Sequence, residues 1–144
     1  FCLEHDISLL AYGSICGGLI SENYLGKLEP STAELSTLSL RKYKQMIDAW
    51  GGWNLFQKLL STLKGIAQKY NVSIANVATN YILAKAPVAG VIIGDRLGIA
   101  DHINDNIHVF DFDLDKSDCY AIDAVCTNAN NLFEIIGDCG DEYR

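Results

Sequence analysis

The sequence predicts an α/β fold in which parallel strands carry helices on their outer side, and three observations predict it. Two short apolar runs, residues 7–12 and 88–93, stop at glycines and are uninterrupted by charge, as strands covered on both faces are. The stretches between and after them place apolar residues three and four apart, the period of an amphipathic helix. Finally, 144 residues with 49% hydrophobic and 20% charged side chains have ordinary globular composition and length for a core.

Taken in order, Ile7-Ser8-Leu9-Leu10-Ala11-Tyr12 reads as the first buried strand, ending at Gly13. Residues 13–36 are glycine-bearing and irregular, with Pro30-Ser31 marking a turn. A helix is expected over 40–50, with Leu40, Tyr43, Ile47 and Trp50 on its apolar stripe, Ser39 as its cap and Gly51-Gly52 as its stop. Its Arg41, Lys42 and Lys44 are expected to form a solvated basic face. Residues 53–70 give the clearest helix, with Phe56, Leu59, Leu60, Leu63 and Ala67 on one face. Ser73 caps a third helix whose stripe is Val77, Ala78, Tyr81 and Ile82, and which Pro87 ends. The second strand follows at 88–93, then a helix over 99–107, an acidic link at 111–113 and a helix over 116–126 capped by Asp115. Residues 127–144 show no period and read as a loop-like tail, leaving 1–126 as the folded unit. Two strands are not a whole parallel sheet: a lone pair leaves open edges and a bare apolar face that another segment or subunit must cover.

Charge and cysteine usage narrow the partners. The net charge is −7, and it is concentrated late: before residue 101 there are nine basic and seven acidic side chains, and from Asp101 onward two and eleven. An acidic tail repels phosphate backbones and anionic lipid, which argues against nucleic acid and membrane surfaces. No apolar run approaches the ~20 residues of a bilayer span, and residues 1–6 do not have a signal peptide's order of charge and apolarity. With no initiator Met, the chain is expected to begin inside a longer product or after processing. Cys2, Cys16, Cys119, Cys126 and Cys139 are an odd number at wide spacing, without CxxC or a histidine at ligand spacing. No metal site is predicted; reduced thiols in the cytoplasm or an organelle interior are.

Several motifs in one order resemble the aldo-keto reductase family. Leu10-Ala11-Tyr12-Gly13-Ser14-Ile15-Cys16-Gly17-Gly18-Leu19-Ile20-Ser21 is similar to the family's strand-seven pattern, AYS-L-GxGLL. Val91-Ile92-Ile93-Gly94-Asp95-Arg96 resembles its strand-eight pattern, VIPGAR, and Asn106 through Leu114 its NIxVFDFxL segment. Asp105-Asn106 matches a Glu-Asn pair, and Ser73 through Ala78 the start of the helix before strand eight. The resemblance implies the C-terminal portion of a (β/α)8 TIM barrel, strands seven and eight with their helices, a fold that typically needs about 250 residues. The family's catalytic Asp, Tyr, Lys and His lie on earlier strands, and no residue here matches them.

What the resemblance implies for the site is an extended NADP(H) at the carboxyl mouth of the barrel. Tyr12 would stack on the nicotinamide. Ser14, Ile15, Gly17 and Gly18 would lie along the pyrophosphate, where amide donors and close backbone approach are needed. Gly13 stands where the family often has Ser. Arg96 would fork onto the 2′-phosphate, helped by His102 where the family often has Arg; Asp95, an anion beside Arg96, opposes it. Asp105 and Asn106 would hydrogen-bond the adenine. The reaction implied is reduction of a small carbonyl substrate, or oxidation of an alcohol. The alternatives are a non-catalytic subunit serving as scaffold or nucleotide sensor, and an acidic α/β interaction domain without cofactor. Asp111, Asp113 and Asp115 read as a solvated turn and cap, and His5 and His108 as partnerless.

Overall fold

A computed structural model describes residues 1–95, 98 and 101–137. Two strands, β1 (Leu9–Tyr12) and β2 (Val88–Ile92), pair in parallel, with Leu10 opposite Gly90, Ala11 opposite Val91 and Tyr12 opposite Ile92. Between them the chain runs through α1 (Leu38–Trp50), α2 (Gly52–Tyr70) and α3 (Ile74–Leu83). After β2 come α4 (Ile103–Ile107), a 3-10 turn at His108–Phe110, α5 (Lys116–Cys126) and α6 (Leu132–Ile136).

The core is helical, and α2 is its centre. Trp53, Phe56, Leu60, Leu63, Ile66 and Ala67 recur three and four apart and are all buried, against Ile47 of α1, Ile74 and Val77 of α3 and Ile122 of α5. Burial of a side chain such as Phe56 contributes about 1.5–3 kcal/mol. The first turns of α2 also anchor the long loop: Trp53 Nε1 donates to Lys27 O at 3.0 Å, and Gln57 Nε2 to Tyr24 O at 2.9 Å. Lys69 and Tyr70 at its far end fasten α5. Lys69 Nζ lies 2.6 Å from Asp115 Oδ2 and 2.8 Å from Asp118 Oδ2, and the Tyr70 hydroxyl donates to Asp118 Oδ2 at 2.6 Å. Asp115 and Asp118 form a reciprocal capping box at the start of α5.

Several expectations are corrected. The strands are not fully buried as their apolar runs suggest: Leu10 is 66%, Tyr12 65% and Ile92 57% accessible, the bare face expected of a lone pair, while Ala11, Val88, Gly90 and Val91 are half-buried. Among the described residues only one side of the pair carries helices, so the other apolar side stays bare. The cap of α1 is Thr37, whose Oγ1 accepts from Leu40 N at 3.1 Å, and not Ser39, which lies inside the helix. Lys44 is not solvated. It sits four after Leu40 and three before Ile47, on the apolar stripe, and is 8% exposed with Glu29 and Asp48 carboxylates each 2.6 Å from its Nζ. Gly51 ends α1, but Gly52 already belongs to α2. On α3, Asn76 and Thr79 are buried where the stripe placed Tyr81 and Ile82, which are half-buried. Asp101 and His102 are not helical, so α4 starts at Ile103 rather than 99.

The tail is not simply loop. Asn131 Oδ1 accepts from Phe133 N at 3.0 Å and starts α6, while Asn130 closes the end of α1, its amide N donating to Trp50 O at 2.7 Å and its Nδ2 to Ala49 O at 2.9 Å. The first is a local cap and the second a contact across eighty residues, and periodicity registers neither. His108 has a partner as well: its Nδ1 is 2.7 Å from Asp111 Oδ2. The four described cysteines are free, and burial pushes the Cys16 thiol up to about 11, away from thiolate chemistry at neutral pH. Among the described residues, no His/Cys/Asp/Glu group is placed to hold a metal ion, and no helix is long and apolar enough to cross a membrane.

Candidate functional site

Because the strands are parallel, both carboxyl ends reach the same rim, and the loop after each contributes to one cavity of about 660 Å3. From the first loop come Ile15, Gly17 and Gly18; from the second, Gly94 and Asp95; from α4 and the residue before it, His102, Asp105 and Asn106. The starts of α1 (Thr37, Ser39, Leu40) and of α3 (Ser73, Ala75) complete the wall. Helix starts present the positive end of the macrodipole, although several amides here are already capped: Leu40 N donates to Thr37 Oγ1, Ile74 N to Glu22 Oε1 and Asn76 N to Ser73 Oγ.

The first loop turns sharply because Gly13, Cys16, Gly17 and Gly18 all have positive φ. At Gly17, φ is +64°, and a Cβ would stand 2.7 Å from Ser39 Oγ and 2.9 Å from Tyr43 Cδ2. A Cβ at Gly13 would strike the Tyr43 hydroxyl. Glycine is thus required here by α1 as much as by any ligand, since Ser39 and Tyr43 lie directly across the loop. The loop amides are partly spent internally: Cys16 N donates to Gly13 O at 2.8 Å, Gly18 N to Ile15 O at 2.9 Å and Ile20 N to Ile15 O at 3.2 Å. The free-amide cradle expected across Ile15–Gly18 is therefore narrower than the glycines imply. Ser14, in contrast, has a buried hydroxyl with no partner among the described residues.

Tyr12 lies outside this cavity, on the wall of a neighbouring open one of about 700 Å3 with Arg41, Lys42 and Gln45. The two cavities share Ser39 and Tyr43, so they adjoin along α1. Arg96 lies outside the described residues. Of the remaining expected site residues, Ile15, Gly17, Gly18, His102, Asp105 and Asn106 come together in the first cavity.

Three carboxylates line that cavity, and each is engaged. Glu22 Oε1 accepts from Ile74 N at 3.0 Å and lies 3.3 Å from Lys64 Nζ; Asp95 Oδ1 accepts from His102 N at 3.4 Å; Asp105 Oδ2 accepts from Ser73 Oγ at 2.8 Å. Thr37, Ser39, Tyr43, Glu22 and Asn23 were not legible as wall residues, because they come from segments with no site motif. Spacing marked Ser73 only as a helix cap.

A loop kept clear of Cβ atoms, two helix starts and the Asp105–Asn106 pair of α4 surround a cavity of ligand size, and the buried Ser14 hydroxyl is not among its lining. The sequence pattern of the Aldo/keto reductase family matches residues 1–127. The flagellar radial spoke protein 5 of Chlamydomonas reinhardtii is 33% identical over 82 residues, covering 56% of this chain and 16% of that protein. The solved structure of a glycerol dehydrogenase from Gluconobacter oxydans superposes with a TM-score of 0.63 at 17% identity, over 99% of this chain and 39% of that one. The chain thus spans well under half the length of both relatives, and the fold it shares is part of a (β/α)8 barrel.

Proposed function

Since the chain belongs to the Aldo/keto reductase family, whose members generally use NAD(P)H, we propose that it is the dinucleotide-binding part of an NADP(H)-dependent oxidoreductase of small carbonyls and alcohols. The observation that carries the reading is the gathering of Ile15, Gly17, Gly18, His102, Asp105 and Asn106 around one cavity at the strands' carboxyl rim. When bound, the dinucleotide supplies a hydride. The chain's own residues bind and orient. Tyr12, on the adjoining cavity, offers its ring to the nicotinamide; Ser14 and the turn through Gly18 meet the pyrophosphate; Asp105 and Asn106 take the adenine. Arg96, with His102, is assigned the 2′-phosphate on its place in the sequence. No residue here takes a catalytic role, and the family's Asp, Tyr, Lys and His would come from barrel strands that also cover the bare side of β1 and β2.

The test is fluorescence titration of the full-length protein with NADPH and NADH, before and after Arg96→Ala. Loss of a charge-assisted phosphate contact should cost NADPH about 1.5–3 kcal/mol and NADH little. Equal losses would remove Arg96 from the site, and no binding of either would overturn the reading. A non-catalytic assembly subunit is the second reading, and the 33% identity to a protein named as a radial spoke component favours it. Nucleotide binding without turnover of any carbonyl or alcohol would support it.

A further inference from the structure

The cavity beside Tyr12 carries a charge pattern opposite to that of the chain as a whole. Its walls are Tyr12, at the end of β1, and one face of α1, where Leu38, Arg41, Lys42 and Gln45 stand three and four residues apart. The chain has eighteen acidic side chains against eleven basic ones, yet among the described residues this lining holds two cations and no carboxylate. The adjoining cavity is lined by three carboxylates, Glu22, Asp95 and Asp105. Helix formation does not call for the cations. The start of a helix favours acidic side chains, and the first turn of α1 has none. Arg41 is also more than a solvated charge: its Nε donates to Leu35 O at 2.9 Å, and Leu35 is 2% exposed, so the guanidinium is moored to the edge of the core. Lys42 stands beside it, with Nζ 5.8 Å from the centroid of the Tyr43 ring. Two cations on one wall make a positive local potential, and a moored guanidinium loses little freedom when an anion binds.

We propose that this face of α1 binds an anionic group of the substrate, which makes the substrate class carbonyl compounds that carry a carboxylate. The proposal rests on the dinucleotide reading above and deepens it. In that reading the ring of Tyr12 holds the nicotinamide, so the reacting end of the cofactor lies in this cavity. The acceptor carbon has to come within about 3–3.5 Å of the hydride donor, on the nicotinamide face that Tyr12 does not cover. The substrate then stands between the nicotinamide and α1. A carboxylate there meets the Nη groups of Arg41 in a forked pair, with the Lys42 ammonium as a second cation and the Gln45 amide as a neutral donor. A neutral substituent gains neither charge-assisted bond.

The probes are 4-carboxybenzaldehyde and 4-carbamoylbenzaldehyde, which share a shape and differ in charge. Binding of each to the full-length protein loaded with NADP+ is measured by calorimetry, and turnover of each with NADPH by absorbance. The wild type should bind the carboxylate about tenfold more tightly, the worth of one charge-assisted hydrogen bond, and kcat/KM should favour it in the same direction. Arg41→Gln removes the charge but keeps an amide donor for Leu35 O; the preference should fall to about threefold or less, with the loss borne by the carboxylate. Lys42→Gln leaves the Leu35 contact in place, should lower the preference in the same direction, and serves if the first variant does not fold. Raising the ionic strength from about 0.05 M to about 0.5 M should also erode the preference, which a steric role would not show. A wild type without preference, a preference indifferent to salt or undiminished in both variants, an equal fall for both aldehydes, or turnover of neither would overturn the proposal. Failure of NADP+ and NADPH to bind would instead overturn the functional reading on which it rests.

Discussion

At the scale of the residue, Gly17 is among the most constrained positions in the site. Its φ of +64° costs an L-residue, and a Cβ would press on Ser39 Oγ and the Tyr43 ring. Gly17→Ala is therefore expected to destabilise the protein by about 1–2 kcal/mol from backbone strain alone. It should also weaken dinucleotide binding, because the strain is relieved by moving α1 off the cavity wall. Thermal melting and NADPH titration of the full-length protein check both parts. An unchanged melting temperature together with unchanged affinity would show that α1 is not seated on the loop. Reading this from sequence was only half possible. Gly17-Gly18 signalled a turn, but the need for glycine at 17 comes from Ser39 and Tyr43, twenty-two and twenty-six residues on.

At the scale of the element, the docking of α5 on α2 depends on Asp118. Its side chain is 7% exposed and accepts from Lys69 Nζ, the Tyr70 hydroxyl and Asp115 N. Asp118→Ala strands the Tyr70 hydroxyl and the Asp115 amide and should cost about 2–3 kcal/mol in denaturant midpoints. A loss no greater than a surface substitution would mean α5 docks by Ile122 alone. The neighbouring Asp115 sets an acid limit. Hydrogen bonds from Lys69 first, then from the Ser117 hydroxyl and the Asp118 amide, hold its carboxyl well below the usual carboxylate range. A carboxyl depressed on folding contributes stability that is complete above its unfolded value, about 4, and is lost as pH falls further. Denaturant midpoints should thus drop below about pH 4, and Asp115→Asn should flatten that slope. An equally steep slope in the variant would assign the acid sensitivity to other groups. Asp115 was visible as a cap; its pairing with Lys69, forty-six residues away, and the part played by Asp118 were not.

At the scale of the whole molecule, the two strands lie at the margin of a helical core. Leu10, Tyr12 and Ile92 leave an apolar side uncovered, and Leu3 and Phe1 are also exposed, at 69% and 80%. Residues 1–144 expressed alone should therefore bind ANS and self-associate, with a broad thermal transition. A sharp, monomeric, cooperative transition would show that the α1–α2–α3–α5 core suffices without a sheet cover. One helix commonly links adjacent parallel strands, and here three do, with α1 packed over the first loop and α3 behind β2.

Local chemistry alone determined the strands, the stripe of α2, the Ser73 and Asp115 caps and the order of motifs, because each is set by spacing within a few residues and spacing is visible along a chain. Only the tertiary structure decided which residues share a wall. It placed Tyr12 on an adjoining cavity, drew Ser39 and Tyr43 onto the glycine loop, buried Lys44 between two carboxylates and tied Asp105 to Ser73. Those contacts join residues from 4 to 32 positions apart. Packing a helix start against a strand end selects them, and no periodicity in the sequence records which helix start that will be.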